Sequence, residues 1–389
     1  MTLAAERARV SFEASTFAPA PAEWRGLDRD EVRLLVARPD EVVHGRFADL
    51  ADHLVAGDVL VVNNSATVPG QLDGRLDGAP VVVHLAHRLD DGSRVVELRT
   101  PPDAARAVLD AAPGGRVVLG GGVSTPLDQP APLDQPAPLD QSTPLDESAP
   151  LHLVLREPWP RAFSPTGEGN RLWRADVDGD PGALDRLLER EGRPISYGYL
   201  DRRYPLSAYQ TVFASCPGSA EMASAGRPFT HRLVTRLVSR GVGFAAVTLH
   251  TGLSSQEAGE APGPEWFEVD AAAARAIGSA RDAGGRVVAV GTTVTRALES
   301  AVEGGRVVPS SGWTSRVVTP ADPPRVVDGL VTGWHDPHAS HLLLVEAVAG
   351  RRLAQTAYDA AVAEGYLWHE FGDSALLLPG VSGRVRGRV

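Results

Sequence analysis

The sequence predicts an α/β fold: a mainly parallel sheet domain with a small β-barrel domain inserted into it. Three observations carry this. Apolar strands alternate with helical segments near the start of the chain, and again after Pro181. Between these regions, short β-type runs are separated by Gly and Pro. With 389 residues, 43% hydrophobic and 22% charged, the chain is long enough for two cores. The expected division is a discontinuous α/β domain, residues 1–67 and 179–389, around a barrel at 68–178.

Taken in order, Val32 to Ala37 reads as a strand, Arg38-Pro39-Asp40 as a turn and Phe47 to Val55 as a short helix. Val59 to Val62 is the next strand, ending at Asn63-Asn64. The barrel strands are expected at Val81 to Leu85, Val95 to Leu98, Val117 to Leu119, Leu151 to Leu155 and Leu172 to Val177. Inside that module Pro-Leu recurs every six residues from Pro126 to Pro150, mostly as Pro-Leu-Asp-Gln. Proline at that spacing removes ladder donors and breaks helices, so residues 121–149 read as an extended loop. Thr230 then caps a helix to Arg240 that stops at Gly241, and strand Phe244 to Leu249 follows. Asp270 caps an Ala-rich helix ending at Gly284-Gly285, after which come strand Arg286 to Val290 and a helix opened by Gly291-Thr292-Thr293.

Composition narrows the function. One cysteine, Cys216, cannot form an internal disulfide and reads as a small buried apolar residue. The N-terminus lacks the apolar core of a signal peptide, and no run of about 18 apolar residues occurs, so a cytoplasmic protein without a membrane partner is expected. A net charge of -11 argues against non-specific grip on nucleic acid while leaving room for a local basic patch. A monomer is favoured.

In open α/β sheets, ligands bind beyond the carboxyl ends of the strands. Two segments qualify: His250-Thr251-Gly252, and Gly291-Thr292-Thr293 with Arg296 one turn further on. The Gly-Thr-Thr start offers free N–H groups and hydroxyls to a carboxylate or phosphate, although Thr is also an ordinary cap. His250 is placed for proton transfer, although a histidine held in a structural hydrogen bond is the commoner reading of such a position. His335, His338 and His341 carry a zinc-like spacing, but residues six apart face differently on a helix, and no metal is expected. Glu265-Trp266-Phe267 pairs a carboxylate with aromatic surface that suits a purine or a core edge. Tyr209-Gln210-Thr211 and Asn63-Asn64-Ser65 place polar groups at strand ends.

These segments, in order, resemble the S-adenosylmethionine:tRNA ribosyltransferase-isomerases of the queuosine pathway. The matching stretches are Leu60 to Leu72, Tyr209 to Ala214, Ala225 to Thr230, Val247 to Gly252, Glu265 to Val269 and Gly285 to Glu299. Arg325 to Gly350 and Phe371 to Leu377 complete them, over roughly three quarters of the chain. The resemblance implies an α/β domain with an inserted barrel, S-adenosylmethionine as ribosyl donor and co-substrate, and tRNA as acceptor. Ribose moves to the aminomethyl group of an anticodon deazaguanine and rearranges to an epoxycyclopentane, while adenine and methionine leave. On this reading His250, Glu265 and His335 are the candidate catalytic residues. The candidate substrate contacts are Asn63, Asn64, Tyr209, Gln210, Thr230, Gly252, Trp266, Gly291, Thr292, Thr293, Arg296 and Asp328.

The chain departs from the family pattern at polar positions. Asn64, Ala66 and Gln71 stand where members carry an acid and two arginines, and Arg227-Pro228 replaces Leu-His. Glu260 and Gly263 replace paired histidines, and His338-Ala339-Ser340 replaces Lys-Ser-Thr. Two alternatives therefore stand beside the family reaction: ribosyl transfer to, or lyase chemistry with, a non-tRNA acceptor, and non-catalytic binding of S-adenosylmethionine or a nucleoside.

Overall fold

The computed structural model describes residues 8, 10–13, 16–120, 150–160, 167–254, 260–337 and 339–380. The Pro-Leu-Asp-Gln repeat and His338 lie outside the described residues. The chain forms two compact units: Met1–Val68 with Pro165–Gly167 and Tyr199–Val389, and Pro69–Ser164 with Glu168–Gly198.

In the first unit, β1 (Arg33–Arg38) turns into β2 (Glu41–Arg46), and β3 (Val59–Asn63) and β4 (Ser65–Thr67) follow. The second unit holds β5 (Gln71–Leu76), β6 (Ala79–Arg88), β7 (Arg94–Arg99), β8 (Arg116–Leu119), β9 (Leu151–Pro158), β10 (Leu172–Asp178) and helix α1 (Pro181–Glu191). Back in the first unit come β11 (Cys216–Ser219), α2 (His231–Ser239), β12 (Gly243–Leu249), β13 (Glu265–Val269), α3 (Ala271–Asp282), β14 (Val287–Val290) and α4 (Thr292–Ser300). The chain continues through β15 (Val302–Glu303), β16 (Arg306–Val307), β17 (Ser310–Thr314), β18 (Gly329–Gly333), α5 (His341–Ala349), α6 (Arg351–Ala363) and β19 (Ser374–Leu377).

Nine strands of the first unit form one sheet, in the order β17-β13-β12-β3-β14-β18-β19-β1-β2. The central pairs β12–β3, β3–β14 and β14–β18 are parallel. Antiparallel pairs flank them at β12–β13, β13–β17 and β18–β19. Strand residues alternate between two apolar layers: Leu35, Val59 and Val61 face one, and Leu34, Leu60 and Val62 the other. Ile277, Leu298, Val345 and Tyr358 of α3 to α6 cover the first layer. Leu233 and Leu237 of α2, with Phe47 and Leu50 of a 3-10 turn, cover the second. Burial on both faces explains why these strands read as continuous apolar runs, and each buried Val or Leu contributes roughly 1.5–3 kcal/mol.

The second unit is a closed six-stranded barrel, β10-β7-β6-β5-β8-β9. Residues 179–198, which read as the resumption of the α/β domain, belong to this unit instead. Leu184 and Leu187 of α1 join Leu72, Val83 and Trp173 in the barrel core, so the helix spends its apolar face there. On the face of β7 opposite the core residues Val96 and Leu98, buried Glu97 accepts hydrogen bonds from Nη1 of Arg99 at 2.8 Å and Nη1 of Arg171 at 2.9 Å. His84 Nδ1 lies 3.4 Å from the same carboxylate, and its Nε2 is 3.1 Å from Gln71 Oε1. Burial opposes the charge on Glu97, yet Arg171, His84 and Arg99 together pull its pKa down to about 2.

Candidate active site

Because β12, β3, β14 and β18 run parallel, their carboxyl ends share one edge of the sheet, and β13 and β19 begin there because they run the other way. That edge carries His250 after β12, Asn63-Asn64 at the end of β3, Gly291 after β14 and His335 after β18. Glu265 opens β13, and His369-Glu370 shortly precede β19.

Asn63 and Asn64 build this edge rather than project from it. The Asn63 side chain donates from Nδ2 to Leu249 O at 2.8 Å and accepts at Oδ1 from Leu249 N (3.1 Å) and Ser65 N (3.0 Å). It thereby continues the β3–β12 ladder through a side chain. Asn64 Oδ1 accepts from Thr248 Oγ1 at 2.7 Å. Gln210 pairs with both backbone groups of Thr67, at 3.1 and 2.8 Å. Thr230 caps α2 by accepting from Leu233 N at 3.1 Å, and it donates to Asp30 at 2.8 Å.

The His250 ring stacks on Trp266 at a centroid distance of 5.3 Å and an interplanar angle of 20°. Its Nδ1 is 2.7 Å from Ser65 Oγ, which lies 2.6 Å from Ser219 Oγ. Ser219 Oγ in turn accepts from Thr251 N at 3.0 Å. Burial lowers the His250 pKa from its ordinary value. Gly218 beside it has φ +154°, and a Cβ there would fall 2.6 Å from the imidazole, so only glycine lets the ring approach the backbone.

Glu265 accepts from Gly252 N at 2.9 Å and pairs with Nη1 of Arg296. Burial raises its pKa by more than Arg296 and Gly252 N lower it. Arg296, a candidate ligand contact, is committed internally: it also donates to Arg316 O at 3.1 Å and Gly263 O at 3.0 Å. Gly291, with φ +100°, opens α4 in a conformation reserved for glycine, and Thr292 and Thr293 form its first turn. Thr293 Oγ1 lies 3.4 Å from Asn63 Nδ2.

His335 Nε2 is 3.0 Å from Thr332 Oγ1, and its ring stacks on His341 at 4.8 Å and 9°. Burial, then His341 and His369, hold its pKa well below the ordinary value. Tyr209 packs on Phe371 at 5.2 Å, its buried hydroxyl without a hydrogen-bond partner among the described residues. Asp328 is a correction to the expected set. Its Oδ2 accepts from Val287 N at 2.9 Å, which places it at the amino ends of β14 and β18, the opposite edge of the sheet. The pattern of polar residues beside strands does not distinguish one end from the other until direction is known. Cys216, expected to be buried, is partly exposed in β11.

Sequence reasoning missed Ser219, Glu221, His369 and Glu370. His369 adopts φ +75°, rare for a residue with a side chain, and its Nδ1 lacks a hydrogen-bond partner among the described residues. Burial, then Glu221, push the Glu370 pKa up to about 8, against a hydrogen bond from Tyr199. Ser224, Arg227, Gly333, His369 and Glu370 line one small pocket. The available signal was a His-Glu pair inside the otherwise apolar run Leu367-Trp368-His369-Glu370-Phe371. Arg227 itself is buried and spends its guanidinium on Ala208 O and Glu23, both at 2.8 Å.

The family model described as queuosine biosynthesis protein matches residues 11–377. An S-adenosylmethionine:tRNA ribosyltransferase-isomerase of Pelotomaculum thermopropionicum is 33% identical over 366 residues, covering 90% of this chain and 94% of the relative. One of Anaeromyxobacter dehalogenans is 35% identical over 364 residues, covering 90% and 93%. A solved S-adenosylmethionine tRNA ribosyltransferase from Thermotoga maritima is 26% identical, covers 95% of this chain and 99% of its own, and has a TM-score of 0.48. Among the described residues no helix is long and apolar enough to cross a membrane.

Proposed function

This chain belongs to the queuosine biosynthesis protein family, and from that premise we propose that it transfers and isomerises the ribosyl group of S-adenosylmethionine onto the aminomethyl-deazaguanine base of tRNA, releasing adenine and methionine. The observation that carries this reading is kinship over nearly the whole chain, spanning both units and every strand that supplies the candidate edge. The alternatives of another acceptor or of non-catalytic binding have no such support. A cytoplasmic site of action accords with a tRNA substrate.

The donor supplies a ribose whose methylene is acidified by the adjoining sulfonium. The protein's part is to bind, orient and hold protons. The first turn of α4, with Thr292 and Thr293, is the anion seat for a carboxylate or phosphate, since helix-start N–H groups and the helix dipole both favour negative charge. Trp266 and His250 present a flat stacked surface suited to a purine. Glu265 and Arg296 fix the loop at Gly252 and Gly263 and act by positioning. Glu370, with a pKa of about 8, holds a proton at pH 7 and is the candidate acid for a departing base. His335 is kept neutral and lines the same edge. Each of these roles is part of the proposal.

The test is to incubate the protein with S-adenosylmethionine, alone and with tRNA carrying the aminomethyl-deazaguanine, and to follow adenine and methionine. Release that requires the tRNA is the expected result. Equal release without it indicates lyase chemistry, and no release under either condition removes the proposed reaction.

A further inference from the structure

His250 reads from sequence as a proton-transfer group, a label that leaves open which ring nitrogen carries the proton. The chain of hydrogen bonds behind it decides the matter. At its far end Thr251 N is a backbone amide, which only donates, and it donates to Ser219 Oγ. Ser219 is fully buried, and Ser65 is 3% exposed. Two arrangements of the hydroxyl protons fit the oxygen positions. In one, Ser219 donates to Ser65 and Ser65 donates to His250 Nδ1, so every hydroxyl proton has an acceptor. In the other, Nδ1–H donates to Ser65 and Ser65 to Ser219. One buried hydroxyl proton, that of Ser219 or, where Ser219 donates to Ser65 instead, that of Ser65, then has no acceptor among the described residues, at a cost of about 1–3 kcal/mol.

We infer that the Thr251–Ser219–Ser65 relay holds His250 neutral with its proton on Nε2, so that the imidazole meets substrate as a fixed hydrogen-bond donor and not as a base. Nδ1 is turned inward to Ser65, while Nε2 makes no hydrogen bond among the described residues and is the nitrogen left for a ligand. Protonating the ring forces Nδ1 to donate, which imposes the unfavourable arrangement. The relay therefore acts in the same direction as burial, against the imidazolium. Trp266 stacking and the Cβ-free approach of Gly218 hold the ring plane so that the Nε2–H direction is set before substrate arrives. A donor fixed in this way stabilises charge that develops on a substrate oxygen or nitrogen without giving up its proton. Ser65 and Ser219 are thus positioning residues. The tautomer rests on the protein's own bonds alone, whereas the donor role rests on the function proposed above.

The test reads the ring protons directly. Protein labelled with 15N-histidine is examined by long-range proton–nitrogen correlation, with His250→Gln identifying the resonance. The expected pattern is an unprotonated, pyridine-type Nδ1 and a protonated, pyrrole-type Nε2 at pH 7. A pyrrole-type Nδ1, or an imidazolium at that pH, overturns the relay whatever the turnover. In Ser65→Ala the pattern should average between tautomers and kcat should fall on the order of tenfold at little-changed KM, with Ser65→Thr restoring both. An unaltered Nε2–H tautomer in a folded Ser65→Ala protein also contradicts the proposal. Wild-type protein that shows the predicted tautomer yet releases no adenine with tRNA would refute the proposed function while leaving the relay standing.

Discussion

At the scale of single residues, polar side chains at the carboxyl edge of the sheet hold that edge itself together. Asn63, Asn64, Gln210 and Arg296 were readable as polar groups at strand and helix ends, yet all four spend their side chains on the protein itself. Nothing in a linear pattern shows whether an amide will splice a ladder or face a ligand. Ser219 and Glu221 were illegible for a different reason, because they come from a segment without a recognisable period, and His369-Glu370 left only the trace of a polar pair among apolar neighbours. The histidines there carry a pH consequence. Burial first, then Arg296 and His369, hold His341 at about 4, and burial holds His369 there against Asp336, compared with 6.5 for the free group. The unfolded chain thus binds more protons between about pH 6.5 and 4, and this share of stability is present above 6.5 and lost as pH falls through 4. Glu370, raised from 4.5 to about 8, acts in the opposite sense between those values, so the net slope is smaller than the histidines alone would give. Denaturant unfolding at pH 7 and pH 5 isolates one contribution. His341→Gln should lose less stability between the two pH values than the wild type, and equal losses would show that His341 does not titrate as described.

At the scale of elements, apolar runs found β1, β3, β12 and β14 of the sheet and β6 to β10 of the barrel, because burial leaves little else for those positions to be. Among the strands not marked, β2 and β5 have their apolar content diluted by Glu41, His44 and Arg46, or by Gln71, Asp73 and Arg75, and β4, β15 and β16 are only two or three residues long. Helix α1 falls where the α/β alternation was expected to resume, but its apolar side serves the barrel, a tertiary choice that periodicity does not encode. On the outer face of the barrel wall, one buried carboxylate balances two buried guanidiniums. Glu97→Gln keeps the shape and removes the charge, leaving Arg99 and Arg171 buried without their shared counter-ion. A loss of about 3–5 kcal/mol is expected in chemical denaturation. A loss below about 1 kcal/mol would mean that other groups neutralise the pair.

At the scale of the whole molecule, the alternation of βα units with an inserted β-rich stretch specified two units of different class, and kinship over residues 11–377 assigns the chain to a family with a defined reaction. The departures at Asn64, Gln71 and Arg227 are absorbed by the fold, where each side chain finds an internal partner. The central claim is that the donor's ribose, and not its methyl group, ends on the tRNA base. Donor labelled with 13C in all five ribose carbons tests this most directly, by mass spectrometry of digested tRNA. The account predicts one anticodon base carrying the intact five-carbon label, with adenine and methionine released in equal amount. Adenine and methionine released with no label on the tRNA would contradict it.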